Sequence, residues 1–132
     1  MAEISELKQG SIVWVKATDP RGHNPKMRAF VVITATASIK SGDPIVAVAV
    51  TSTFREPLDP MMVPMRWNAA GTTESGFTKK CVAKCDWAII IPTRKTKNDI
   101  YFDGLFEGKR VQEVEMLKIL ERVKMHRKLG KG

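Results

Sequence analysis

The sequence predicts a mainly β domain with one C-terminal helix, built as a small, strongly bent antiparallel sheet or barrel. Three observations carry this expectation. Two short apolar runs rich in β-branched residues, 29–35 and 45–50, flank the turn-forming segment 38–43 (SIKSGD) and Pro44. Other short apolar segments follow, separated by stretches containing glycine and proline. From Gly108 onward, apolar residues recur at the three- to four-residue spacing of an amphipathic helix.

The chain, 132 residues long, is read as a single domain, with a core over roughly 8–124 and a basic tail at 125–132. Its apolar content of 43% and mean hydropathy of −0.18 fit a globular protein. No apolar run approaches the ~20 residues of a membrane span, and the start MAEISELKQG lacks a signal-peptide core. A cytoplasmic location without membrane contact is expected.

Taken in order, residues 2–9 are short and polar, with Ile4 and Leu7 at helical spacing, and read as one helical turn or a frayed end. Residues 10–17 form a first strand with Trp14 in the core. Thr18-Asp19-Pro20-Arg21-Gly22 turns the chain, and the basic loop continues to Met27. It reads equally as a mobile flap over a site or as a plain hairpin loop.

The central hairpin follows. Folded about the middle of its turn, it pairs residues whose numbers sum to 79–81. Arg28 and Thr51 then lie nearly opposite one another at its open end, with His23 just upstream. Val46, Val48 and Val50 form a bulky face for the core, while Ala47, Ala49 and Thr51 form a shallow one. The shallow face either meets close-packed backbone or leaves room for a ligand beside Thr51.

Residues 54–60 are a loop with two prolines, and 61–65 a short edge strand, since Pro64 lacks a donor. Residues 67–75 are turn-rich. Residues 77–91 read as one long strand, or two meeting at a bend. There Val82, Lys84 and Asp86 share one face, and Cys81, Ala83 and Cys85 the other. Lys84 and Asp86 are either a solvated ion pair or part of a site. Four strand residues span about 13 Å, too far for Cys81 and Cys85 to bridge, so buried thiols are expected. Neither these cysteines nor His23 and His126 show a zinc or haem spacing, and no cofactor is expected. Residues 92–98 form a basic turn, and 100–106 a strand interrupted at Asp103-Gly104. The helix stripe is read as Val111, Val114, Leu117, Leu120 and Val123, with the tail disordered at its end.

The net charge is +8 and the pI about 9.7, which favours a polyanionic partner. Residues 108–132 hold eight Lys/Arg against three Glu. Arg94, Lys95 and Lys97 form a second cluster. Arg21, Lys26 and Arg28 form a third, beside the central hairpin.

Several short motifs, in order, resemble the MazF/PemK (Kid) toxins of bacterial toxin–antitoxin systems. They are Gly10-Ser11-Ile12-Val13-Trp14-Val15, Gly22-His23, Arg28 opening a strand, Val50-Thr51-Ser52, Gly76-Phe77 and Lys84-Cys85-Asp86. The resemblance implies an SH3-like barrel with a C-terminal helix, and a homodimer. It implies a metal-independent endoribonuclease that cleaves single-stranded RNA and inhibits growth. The ribose 2′-OH would attack the adjacent phosphate, leaving a 2′,3′-cyclic phosphate and a 5′-OH. The implied partners are an acidic antitoxin that covers the site, and operator DNA bound only together with that antitoxin.

On this resemblance Arg28 and Thr51 match catalytic positions: the guanidinium fork suits phosphate oxygens, and the hydroxyl can donate to them. His23 and Asp86 match further catalytic or RNA-binding positions, and either can act in proton transfer. Lys84, Ser52, Lys26 and Trp87 are candidate substrate contacts, with Trp87 either stacking on a base or buried in the core. The chain departs from the family pattern at five places, one being a His23–Arg28 loop one residue shorter than in the Kid branch. Lys84 replaces the more usual Arg, Trp87 the usual Gln, and Ala29 a common Pro, and 88–90 lacks an Arg. The residues also suit a barrel that binds nucleic acid without cutting it, or a regulatory module with an acidic protein partner.

Overall fold

The computed structural model describes residues 2–130, with side chains to 126. Among them, nine strands and two helices follow one another in the chain. They are β1 (Ala2–Glu3), β2 (Ser11–Ala17), β3 (Lys26–Val32), α1 (Thr36–Lys40), β4 (Ile45–Thr51) and β5 (Met62–Pro64). Then come β6 (Val82–Ile91), β7 (Thr93–Lys95), β8 (Ile100–Phe102), β9 (Leu105–Arg110) and α2 (Glu113–Gly130). A six-stranded antiparallel sheet runs in the order β5-β6-β4-β3-β2-β9, and a three-stranded one in the order β1-β8-β7. The expected mainly β fold with a C-terminal helix is present. The large sheet stays open, with β5 and β9 as edges, rather than closing into a barrel.

The central hairpin pairs Phe30 with Ala49, Val31 with Val48 and Val32 with Ala47, a sum of 79 throughout. Paired residues share a face. Phe30 therefore fills the space that Ala49 leaves, and both faces of β3 and β4 are buried. Ala29, Val31 and Val48 enter one core with Ala83, Cys85 and, from α2, Ile119. Phe30, Val32, Ala47 and Ala49 enter a second core with Leu7, Ile39 and Phe102. The shallow alanine face thus meets bulky side chains, and space beside a ligand opens only at the strand end, near Thr51.

Several expectations change. Segment 38–43 is partly helical: the amide of Ile39 donates to Ala35 O at 3.2 Å, and burying Ile39 completely holds that turn in place. The start is strand β1, paired with β8 and anchored by buried Ile4 and Leu7. Residues 77–81 lie outside β6, and the basic turn contains β7, paired with β8. The interruption at Asp103-Gly104 carries the chain from the small sheet to the large one. Gly104 is required there, since a Cβ would sit 2.6 Å from Trp14 O and from the Phe102 ring. Trp14 is 36% exposed rather than in the core.

The helix buries Met116, Ile119 and Val123, with Glu115, and exposes Val114 and Leu117. Glu115 explains the rotation. One carboxylate oxygen accepts from the Gln112 amide at 3.0 Å, as an acid in the first turn closing on the N-cap does. The other accepts from the Arg66 amide at 2.8 Å. One capping and one tertiary hydrogen bond turn this carboxylate inward and carry Val114 out. The helix continues to Gly130, through most of the expected tail, and the tail's last two residues lie outside the described ones. Cys81 and Cys85 are free and buried, as expected. Burial pushes the Cys81 thiol up to about 11. Burial, with the Asp86 carboxylate beside it, pushes Cys85 up to about 12.

Candidate functional site

A cleft of about 510 Å³ opens at the end of the central hairpin. Arg28 comes from β3, Thr51 from the end of β4 with Ser52 just beyond it, and Lys84 and Trp87 from β6. Lys26 opens β3 at the rim. These six sequence-predicted residues meet in one place. His23 and Asp86 are exposed and do not line the cleft.

The Arg28 side chain is fixed by three contacts. Its Nε donates to Ala17 O at 3.0 Å and its Nη2 to Asn24 O at 2.7 Å. Its guanidinium carbon lies 5.4 Å from the centre of the Trp87 ring, a cation–π arrangement worth about 0.5–2 kcal/mol. Trp87 in turn meets Phe30 edge-on, with centroids 6.4 Å apart, and so closes the end of the second core. Trp87 thus packs partly against the second core, as in the burial reading, while its ring also lines the cleft beneath Arg28. Among the described residues, no carboxylate forms an ion pair with Arg28.

A break in register places Trp87 there. β4 pairs Val48 with Ala88 but Ala49 with Lys84, leaving Cys85, Asp86 and Trp87 without β4 partners. The Cys85 amide donates instead to Met61 O at 2.9 Å. Such a bulge re-aims the side chains it carries, within what remains a single strand. The Thr51 hydroxyl accepts from the Thr53 amide at 3.0 Å, in a turn that holds its oxygen at the cleft.

The loop before Arg28 is organised by Asp19. One carboxylate oxygen accepts from the amides of Arg21 (3.0 Å) and His23 (2.9 Å), the other from the Asn24 side-chain amide (3.1 Å). The Asp19 amide donates to His23 O at 2.7 Å, and the Gly22 amide to Asp19 O at 2.9 Å. The hydrogen bond from His23, more than any other cause, holds the Asp19 carboxyl below its usual range. Gly22 at φ +81° and Asn24 at φ +54° take the left-handed conformations this tight path needs. The segment is thus a folded, internally bonded loop.

Among the described residues, the lining carries Lys26, Arg28, Lys79 and Lys84 against a single acid, Asp19. Trp14, Phe77 and Trp87 give it aromatic walls. Sequence reasoning misses Lys79, Phe77 and Trp14 as lining residues, since it expects the first two in a strand and Trp14 in the core. It also reads Asp19 only as part of a turn. Cations beside aromatic surfaces fit phosphate and an unpaired base. Among the described residues, no group of three or more His, Cys, Asp or Glu is placed to hold a metal ion.

Comparison with known proteins gives the same picture at the level of family and fold. Residues 8–126 match the family described as PemK-like, MazF-like toxin of type II toxin–antitoxin systems. No functionally curated protein matches the sequence. The fold is similar to a crystal structure of MazF (Form-I) from Deinococcus radiodurans. That match has a TM-score of 0.62 at 16% identity, covering 90% of this chain and 94% of that one. MazE-MazF (Form-III) from the same organism matches with a TM-score of 0.58 at 15% identity, covering 90% and 94%. MazE-MazF (Form-II) matches with 0.57 at 13%, covering 90% and 92%.

Proposed function

The chain belongs to the PemK-like, MazF-like toxin family, and we propose that it is a growth-inhibiting endoribonuclease of single-stranded RNA. The observation that carries this reading is the convergence of a pre-positioned Arg28 and the Thr51 hydroxyl in one cationic, aromatic-walled cleft.

In this reading the ribose 2′-OH attacks the adjacent phosphorus and the 5′-oxygen leaves, giving a 2′,3′-cyclic phosphate and a 5′-OH. Charge gathers on the non-bridging phosphate oxygens during the step. Arg28 stabilises that charge through its free guanidinium edge, and Thr51 adds a hydrogen bond. Lys26, Lys84 and Ser52 hold flanking phosphates and sugars. The transfers of protons from the 2′-OH and to the leaving oxygen fall to His23 and Asp86, which flank the cleft on the Asp19 loop and on the β6 bulge. The same basic surface suits an acidic antitoxin segment laid across Arg28, acting in the cytoplasm on a homodimeric toxin. Operator DNA would be bound only by the toxin–antitoxin complex.

The test is incubation of the protein with a long single-stranded RNA in EDTA, with the fragment ends mapped. Discrete cuts ending in 2′,3′-cyclic phosphate support the reading. Intact RNA that binds with a steep salt dependence supports a second reading, a non-cleaving RNA-binding module. One feature favours that second reading: neither proton-transfer candidate lines the cleft.

A further inference from the structure

We infer that Asp19 is a positioning residue for Arg28, acting through the loop it folds. The kinetic part of this inference rests on the ribonuclease reading, while its structural part does not.

Among the described residues, Asp19 is the only acid in the cleft lining. An acid beside a phosphate site works against binding, unless its charge is spent on something else. Here both oxygens are occupied by local donors: the amides of Arg21 and His23, and the side-chain amide of Asn24. None of these bonds reaches Arg28 directly. Their effect is to set the path of the chain through Asn24, whose backbone stands at φ +54° and whose carbonyl accepts from Arg28 Nη2 at 2.7 Å.

Three contacts hold the guanidinium: Ala17 O belongs to strand β2, Trp87 to strand β6, and Asn24 O to the loop. The first two are carried by the sheet. The third exists only if the loop keeps its shape, and Asp19 is the side chain that ties that shape at three points. With Nε and Nη2 both committed, the planar group keeps one orientation at the cleft and leaves Nη1 for a ligand. Without the Asn24 carbonyl, Nη2 loses its anchor and the side chain is free to swing about its aliphatic torsions, so that aim is lost; exchange of Nη1 with Nη2 by rotation about Nε–Cζ, no longer opposed by this hydrogen bond, reports the loss. Misplacement of a charge-stabilising group by about 1 Å is enough to cost on the order of a hundredfold in rate.

The test compares wild type with Asp19→Ala and Asp19→Asn. The first reading is rotation about the Arg28 Nε–Cζ bond, followed by side-chain NMR, with the resonance assigned by its loss in Arg28→Lys. The second is kcat and KM for RNA cleavage. Asp19→Ala is expected to speed that rotation at least about tenfold, as loss of one charge-assisted hydrogen bond implies. Its kcat should fall about tenfold to a hundredfold with KM little changed, the pattern of a contact made in the transition state. Asp19→Asn should recover most of both, because its amide oxygen still accepts from Arg21 and His23 while Asn24 turns its own amide to match. Wild-type rotation in Asp19→Ala overturns the inference, whatever the cleavage rate. So does an Asn variant as impaired as the Ala variant. If wild type cuts no RNA, the ribonuclease reading fails, and the NMR comparison alone still decides the positioning role.

Discussion

A guanidinium fixed on two backbone carbonyls and a tryptophan face is worth more to a phosphate than a loose cation, because its orientation is settled before the ligand arrives. Arg28→Lys keeps the charge and loses the fork and the ring contact. Cleavage should fall about a hundredfold, while RNA affinity falls less than about tenfold, as expected of electrostatic stabilisation in the transition state. Kinetics beside a binding titration would check this. The buried thiols give a second prediction. With Cys81 raised to about 11 and Cys85 to about 12, neither should react with a thiol reagent at pH 8 until the protein unfolds. Each raised value also means that the unfolded chain ionises first as pH climbs. Stability from these groups is whole below the ordinary thiol value of 9.0 and is lost progressively as pH rises toward 11–12. Replacing both cysteines with alanine should flatten the fall in denaturation midpoint over that window. At this scale hairpin arithmetic was enough to bring Arg28 and Thr51 to one cleft. It did not reveal the hub at Asp19. An Asp-Pro-x-Gly stretch declares a turn without saying which carbonyl the turn delivers, or to what.

The elements that sequence placed well are those whose pattern answers to one neighbour. The hairpin register followed from a single turn, and the edge strand β5 from Pro64. The elements it misplaced depend on distant partners. Residues 2–9 look polar and short, yet β8 pairs with their start, and Leu7 is fully buried. Spacing alone put Val114 and Leu117 inward, but the two hydrogen bonds of Glu115 turn α2 the other way. Nor does periodicity announce the β6 bulge that sets Trp87 under Arg28. The helix reading is testable by urea denaturation. Glu115→Ala leaves two partly buried amides without their acceptor and should cost about 1–3 kcal/mol. Ile119→Ala should cost about 2–5 kcal/mol as a core truncation. Leu117→Ala, on the exposed face, should cost less than about 1 kcal/mol. Comparable losses at Leu117 and Ile119 would show that the helix presents its other face to the core.

Across the whole molecule, two cores on opposite faces of one open sheet make the hairpin rigid, and its open end becomes the cleft. Of the net charge of +8, four cations line that cleft: Lys26, Arg28, Lys79 and Lys84. If all four meet phosphates, the logarithm of RNA affinity should fall against that of salt with a slope of about −3, at roughly 0.7 per contact for single strands. Lys79→Ala and Lys84→Ala should each make the slope shallower by about 0.7. A slope unchanged by either would place the RNA on one of the other basic clusters.

The measurement that bears most directly on the cleft is cleavage of one long single-stranded RNA by wild type, Arg28→Ala and Thr51→Ala, each first shown to unfold at the wild-type temperature. The account predicts discrete cuts from wild type and loss of those cuts, at unchanged fold, in both variants. Cutting at the same positions by a folded Arg28→Ala protein would contradict it, since the charge of the transition state would then be met elsewhere.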